Sequence, residues 1–122
     1  MMTELIREIA FDTETTGLDW DQDDRIIELG AVELINHVPT GNTFQTYINP
    51  GRAVSEATIR ITGITDAALV DQPPFEDPCI VDAFLAFVCD SILVAHNANF
   101  DRGFLNMALQ PFGNSPTPED RL

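Results

Sequence analysis

Two carboxylates, Asp12 and Glu14, are separated by one residue at the end of the first apolar segment of the chain. Residues two apart in a strand lie on the same face, so this spacing places the carboxylates side by side. Such like charges are unfavourable unless a cation lies between them or one of them is protonated. Carboxylate oxygens are the ligands that hold Mg²⁺ and Mn²⁺. A solvated strand end has the same pattern, so the pair alone does not distinguish a cation site from a polar surface.

A third carboxylate, Asp101, follows the apolar run of residues 91–95 by six residues. It falls in the first turn of a helix predicted over residues 100–109. If the apolar run pairs with the first strand, both strands end at the same edge of the sheet, and the three carboxylates can converge on one cation. Alternatively, Asp101 complements the helix dipole, as acidic residues in first turns commonly do. Spacing alone leaves both interpretations open.

The strands that must position these residues are predicted from the apolar pattern. Strands over residues 5–13, 25–34 and 43–48 form an antiparallel meander. A turn over residues 36–42, which contain Pro39 and Gly41, separates the last two strands.

Helices are expected after three capping signals. These are Ser55, then Thr65 or Asp66, and then the dipeptide Asp77-Pro78. Residues 91–95 form a central strand that a helical crossover makes parallel to the first. The order predicts an α/β domain with a mixed sheet, formed by a three-stranded antiparallel meander, a parallel strand and helices packed on them.

Charge limits the possible partners of this chain. The 122 residues carry 6 Lys+Arg and 20 Asp+Glu, a formal net charge of −14. Such a surface repels phosphate, so binding to nucleic acid requires bound cations or a partner that holds the strand. No apolar run approaches the roughly 18–20 residues of a membrane span. We expect a cytoplasmic protein without membrane contact, in which Cys79 and Cys89 are thiols rather than a disulfide framework.

Four segments resemble the motifs of the DnaQ-like DEDD 3′–5′ exonuclease family, in the family's order and over essentially the whole chain. They are FDTETTG at 11–17 (the first exonuclease motif), RIIELGAV at 25–32, ITGIT at 61–65 and HNANFD at 96–101 (the second motif). Residues 41–50, GNTFQTYINP, resemble the third strand of the family's proofreading branch, the epsilon subunits of bacterial DNA polymerase III.

The resemblance implies a ribonuclease H-like fold and phosphodiester hydrolysis with two divalent cations, Mg²⁺ or Mn²⁺, about 4 Å apart. By the motif match, Asp12 bridges both ions, and Glu14 and Asp101 complete the catalytic metal ligands present in this chain. The same match implies a set of residues that contact the substrate: Thr13, Thr15, Thr16, Gly17, Thr62, His96, Asn97 and Phe100.

The substrate that the resemblance implies is the 3′ end of single-stranded DNA, with a DNA polymerase catalytic subunit as partner. Two alternatives stay open. An exonuclease that trims RNA 3′ ends would share the same carboxylates, and a catalytically silent polymerase-binding module would share the fold.

Two departures from the family's pattern stand out. The third motif supplies a fourth acidic ligand and a histidine base, and nothing after Asp101 matches it, because Glu119 and Asp120 lie in a Pro-rich tail. Thr62 stands where many proofreading relatives have His. We therefore expect residues 1–122 to form a single, incomplete exonuclease domain whose own activity is in doubt. We also expect an uncovered sheet edge beside residues 92–95 that permits self-association.

Overall fold

A four-stranded mixed sheet organises the computed structural model, which describes residues 5–17, 24–89, 91–95 and 98–109. Its strands are β1 (Arg7–Thr15), β2 (Ile26–Ile35), β3 (Val38–Tyr47) and β4 (Ile92–Ala95), in the spatial order β3-β2-β1-β4. β1 pairs antiparallel with β2 and parallel with β4, and β2 pairs antiparallel with β3. The predicted meander with an added parallel strand is confirmed.

Within the described residues four helices follow the meander or the last strand, and local capping explains where the first three begin. They are α1 (Glu56–Thr62), α2 (Asp66–Leu69), α3 (Pro78–Val88) and α4 (Ala98–Leu109). Ser55, Thr65 and Asp77 each accept a hydrogen bond from a backbone N–H of the first turn, as the sequence predicts. Gly63 ends α1 in the left-handed conformation, with φ of 76°.

The third strand is longer than predicted, and the predicted turn over residues 36–42 is wrong. Only Asn36 and His37 form the turn, both with positive φ (49° and 69°), as two-residue hairpin turns require. Pro39 and Gly41 lie inside β3, since β3 is an outer strand of the described sheet and an outer strand tolerates residues that interrupt the ladder.

The end of β1 and the position of β4 in the sheet also differ from expectation. β1 runs two residues further than predicted, to Thr15, so Glu14 is inside the strand rather than beyond its end. β4 was expected to be central but is the outermost described strand on its side, because no other described strand pairs with its second edge.

The side chains of β1 alternate between the two faces of the sheet. Ile9, Phe11 and Thr13 are buried, whereas Asp12 is exposed and Glu14 is half-buried. The buried face meets α3 and α4 in the main core. That core is formed by Ile9, Phe11, Ile26, Leu29, Ala31, Ile48, Phe75, Ile80, Val81, Phe84, Val88, Leu93, Phe104, Leu105 and Leu109.

A β-bulge in β2 creates a second, smaller core. Glu14 pairs with Glu28 but Thr15 pairs with Ile26, so Ile27 is the extra residue that has no partner on β1. The side chain of Ile27 is fully buried and packs with Val54, Ile64 and Leu69. This cluster attaches α1 and α2 to the end of the sheet where β1 terminates.

The opposite face of the sheet, which we call the open face, has an apolar region near β4. Val32, Ile92 and Val94 are exposed there. Ala10 pairs with both Val32 and Val94, so these residues share the face of Asp12. The expected uncovered apolar surface is thus present at the described residues, and self-association through it stays a prediction. Within the described ranges no helix is long and apolar enough to cross a membrane.

Arg7 joins the sheet to the C-terminal end of α3. Its guanidinium donates to the carbonyl oxygens of Phe87 (2.6 Å) and Val88 (3.2 Å) and to Ser91 Oγ, and it pairs with the carboxylate of Glu33. Hydrogen bonds from Arg7, Thr40 and Asn42 lower the pKa of Glu33 to about 2.

This network predicts a component of acid sensitivity. Because the pKa of Glu33 is lowered on folding, its stabilising effect is complete above the ordinary glutamate pKa of about 4.3. The effect disappears as the pH falls towards about 2. Glu33→Gln should therefore lower the melting temperature at pH 7, and the gap from the parent chain should close over this acidic window. Thermal melts across pH test this, with the exposed Glu76→Gln as control. Equal melting temperatures at pH 7 would contradict it.

Candidate active site

The acidic end of the open face is formed by two cross-strand rows. Glu14 lies opposite Glu28, which lies opposite Tyr47 on β3. In the next row Asp12 lies opposite Gly30, whose lack of a side chain leaves space beside that carboxylate. The predicted pairing of Asp12 with Glu14 on one face is confirmed, and Glu28 is a third acidic residue beside them.

Mutual repulsion among these carboxylates is visible at Glu14. Partial burial raises the pKa of Glu14, and the negative charges of Asp12, Glu28 and Asp101 raise it further. Glu28 is held by a hydrogen bond of 2.7 Å from Gln45 Nε2 to its Oε2 atom. This is the unfavourable like-charge arrangement that a bound cation relieves.

Asp101 lies near this site but its carboxylate is engaged elsewhere. It occupies the first turn of α4, as predicted, and is 2% exposed. Its Oδ1 accepts a hydrogen bond of 2.6 Å from Thr13 Oγ1, on the buried side of β1. A buried carboxylate needs such a partner. The side chain of Thr13, which was predicted to contact substrate, is therefore buried against Asp101.

The donor chemistry of the site fits a hard divalent cation only in part. Asp12 and Glu14 supply carboxylate oxygens on one face, and their repulsion favours a cation. However, within the described ranges no group of three or more His, Cys, Asp or Glu residues could hold a metal ion. The described geometry thus provides an acidic pair with Asp101 nearby, and not a three-carboxylate ligand set.

Residues 15–17, which we call the threonine loop, continue β1 directly beyond the carboxylates. Thr16 N donates to the carbonyl oxygen of Arg25 (2.9 Å), and Arg25 N donates to Thr16 Oγ1 (3.0 Å). Thr15 Oγ1 donates to the carbonyl oxygen of Gly17 (2.5 Å). The loop is therefore held by hydrogen bonds to the backbone of Arg25 and by one within the loop, with the side chains of Thr15 and Thr16 buried.

Of the other residues predicted to contact substrate, the structure describes the side chain of Thr62. Thr62 ends α1, where its Oγ1 donates to the carbonyl oxygen of Thr58 (2.9 Å) and accepts from Ile64 N (3.0 Å). Its hydroxyl thus stabilises the end of the helix. His96, Asn97 and the side chain of Phe100 lie outside the described residues.

Three residues of this region were missed by sequence reasoning. Glu28 was assigned only to a strand, because its position opposite Glu14 depends on the register in which β1 and β2 pair. Asp24 and Thr58 contact the threonine loop from segments distant in sequence, and no local pattern marks such contacts.

Comparison with known families shows which family this chain belongs to. Residues 9–122 match the family model RNase_T, described as an exonuclease. The chain belongs to this exonuclease family. The curated DNA polymerase III subunit epsilon of Buchnera aphidicola subsp. Acyrthosiphon pisum (strain APS) is 47% identical over 108 residues. The alignment covers 85% of this chain and 45% of that relative, so the chain spans less than half of the relative's length.

Solved structures of exonucleases confirm the predicted ribonuclease H-like fold. The nuclease domain of 3′hExo, a DEDDh family member bound to rAMP, has a TM-score of 0.73 at 23% identity, covering 92% of this chain and 62% of that one. Exonuclease X in complex with 5′-overhanging duplex DNA has a TM-score of 0.62 at 26% identity, covering 92% and 77%.

The repulsion at Glu14 predicts that neutral variants are more stable without metal. Since the pKa of Glu14 is raised on folding, its charged form destabilises the fold above that pKa. In EDTA at pH 7, Glu14→Gln should raise the free energy of unfolding by roughly 0.2–1 kcal/mol, the size of a typical cross-strand side-chain interaction. The gain should vanish below about pH 4, where glutamate is protonated in both states.

Asp12→Asn should also raise the melting temperature in EDTA, because it removes one of the charges that act on Glu14. Thermal melts of both variants measure this. A clear loss of stability in both would show that the carboxylates do not repel one another in the folded chain.

Proposed function

We propose that this chain forms the catalytic face of a metal-dependent 3′–5′ exonuclease that removes nucleotides from DNA 3′ ends during proofreading. The observation that carries the proposal is that Asp12 and Glu14 lie side by side on the open face, where partial burial and then the neighbouring carboxylates raise the pKa of Glu14. The chain's membership of an exonuclease family supports assigning this acidic site to phosphodiester hydrolysis.

The proposed roles follow from the position of each group. Asp12, the most accessible of the three carboxylates, would hold the metal ions together with Glu14. By the motif match Asp101 would join them from α4, through the carboxylate oxygen other than the one that accepts from Thr13. Two divalent cations, Mg²⁺ or Mn²⁺, would supply Lewis acidity and an activated water when bound. The chain's own contribution is to present carboxylate oxygens on a rigid central strand and to hold the threonine loop beside them for the terminal nucleotide.

The net charge of −14 supports a requirement for cations. An acidic face alone repels the phosphates of a DNA end, so bound cations must reverse the local field before a strand approaches. A DNA polymerase catalytic subunit is the proposed partner that delivers the strand, in the cytoplasm. The similarity to DNA polymerase III subunit epsilon supports DNA as the substrate and a polymerase as the partner.

A second candidate is an exonuclease that trims RNA 3′ ends. It is favoured by the likeness of the fold to the nuclease domain of 3′hExo, which was solved with rAMP bound. The described carboxylates do not distinguish the deoxyribose of DNA from the ribose of RNA. The relative rates of release from DNA and RNA must therefore decide between the two functions.

Release of nucleotides from a 3′-labelled single-stranded oligonucleotide tests the proposal. We expect release with Mg²⁺ or Mn²⁺, none with EDTA, and faster release from DNA than from RNA of the same sequence. Asp12→Ala should slow release by more than roughly 100-fold, since even the outer partners of metal ligands contribute about 10–100-fold. Asp82→Asn, on the exposed side of α3, is a matched control that should retain full activity.

Metal binding is measured separately by the shift of the melting temperature with millimolar Mn²⁺. We expect an upward shift that Asp12→Ala removes. A shift without nucleotide release would indicate the catalytically silent module. No shift and no release would reject the proposed site.

A further inference from the structure

We propose that Thr58 and Asp24 are positioning residues for the threonine loop, and that they set its affinity for the 3′-terminal nucleotide. The inference rests on the proposed function, in which the loop receives that nucleotide. It adds two residues that lie outside both exonuclease motifs and that act through Thr16 and Gly17.

Thr58 holds the backbone of the threonine loop by a hydrogen bond from its hydroxyl. Its Oγ1 donates a hydrogen bond of 2.9 Å to the carbonyl oxygen of Thr16, although the two residues are 42 positions apart. The same Oγ1 accepts from Ser55 Oγ (3.0 Å), so the Thr58 hydroxyl both donates and accepts. Thr58 is the buried residue of α1, and the Ile27 cluster attaches this part of the chain to the sheet.

Asp24 holds the side chain of Thr16 by a hydrogen bond to its carboxylate. Its Oδ1 accepts a hydrogen bond of 2.8 Å from Thr16 Oγ1, and Arg52 Nη1 lies 3.6 Å from the same oxygen. Gly17 permits this approach: a Cβ atom at residue 17 would lie 2.3 Å from Asp24 Oδ2. A larger residue there would displace the carboxylate and release Thr16.

These contacts hold the threonine loop in one orientation. Thr16 is bonded through its N–H and hydroxyl by residues 24 and 25, and through its carbonyl by Thr58. The backbone that would meet a nucleotide is thereby held in one conformation before binding. Losing one of these bonds should weaken nucleotide binding by loosening the loop, while the carboxylates on β1 stay in place.

The test compares Thr58→Val with Thr58→Ser. Valine keeps the shape and removes the hydroxyl, whereas serine keeps the hydroxyl. We measure the affinity for dTMP in the presence of Mn²⁺ by calorimetry, together with the Mn²⁺-induced shift in melting temperature. Thr58→Val should weaken dTMP binding about three- to tenfold, the typical effect of one lost hydrogen bond. Thr58→Ser should restore it, and the Mn²⁺ shift should be unchanged in both.

Asp24 is tested in the same way. Asp24→Asn retains an acceptor for Thr16 and should bind dTMP better than Asp24→Ala. Thr40→Val, which removes an exposed hydroxyl that donates to Glu33, is the matched control and should bind dTMP like the parent chain.

The outcomes separate this inference from the proposed function. If the parent chain binds dTMP with Mn²⁺ and Asp12→Ala does not, the proposed function stands. In that case, equal affinities of Thr58→Val and the parent chain would overturn the inference alone, as would equal losses in the valine and serine variants. If the parent chain binds neither dTMP nor Mn²⁺, both are rejected.

Discussion

The site depends on the alternation of side chains along β1, which lies between β2 and β4. Ile9 and Phe11 enter the core beneath α3 and α4, and this burial determines which face every other residue of the strand occupies. Asp12 and Glu14 must then lie on the open face, whereas Thr13 must turn inward and meet Asp101. A shift of the strand by one residue would bury the carboxylates and expose the core, so packing and site are specified by one register.

Magnitudes explain how the fold tolerates its acidic face. Burying a large apolar side chain such as Ile9 or Phe11 contributes about 1.5–3 kcal/mol. Cross-strand side-chain interactions, such as the repulsion between Glu14 and Glu28, are smaller, on the order of 0.2–1 kcal/mol. The core therefore holds the carboxylates together against their repulsion. A bound cation would remove this repulsion. The bulge at Ile27 completes the arrangement, because it attaches α1 and brings Thr58 to the threonine loop.

Much of this fold could be predicted from the sequence because its signals are local. Capping by Ser55, Thr65 and Asp77 and the spacing of Asp12 and Glu14 need only neighbouring residues. The predicted turn over residues 36–42 was wrong because Pro39 and Gly41 are tolerated on an outer strand. Whether a strand is an outer one depends on the assembled sheet. Glu28 and Thr58 were missed because register and contacts over 42 residues arise only from tertiary packing. Spacing likewise could not indicate the hydrogen bond that Thr13 donates to Asp101.

The central claim is that Asp12 and Glu14, held together on the open face of β1, form a cation site. Titration of the isotope-labelled chain with Mn²⁺, followed by paramagnetic broadening of backbone amide signals, tests it most directly. The account predicts that signals of residues 12–14 on β1 and 28–30 on β2 broaden first, and that Asp12→Asn removes this selectivity. Broadening spread evenly over the acidic surface, including exposed Asp82 and Glu76, would contradict the claim.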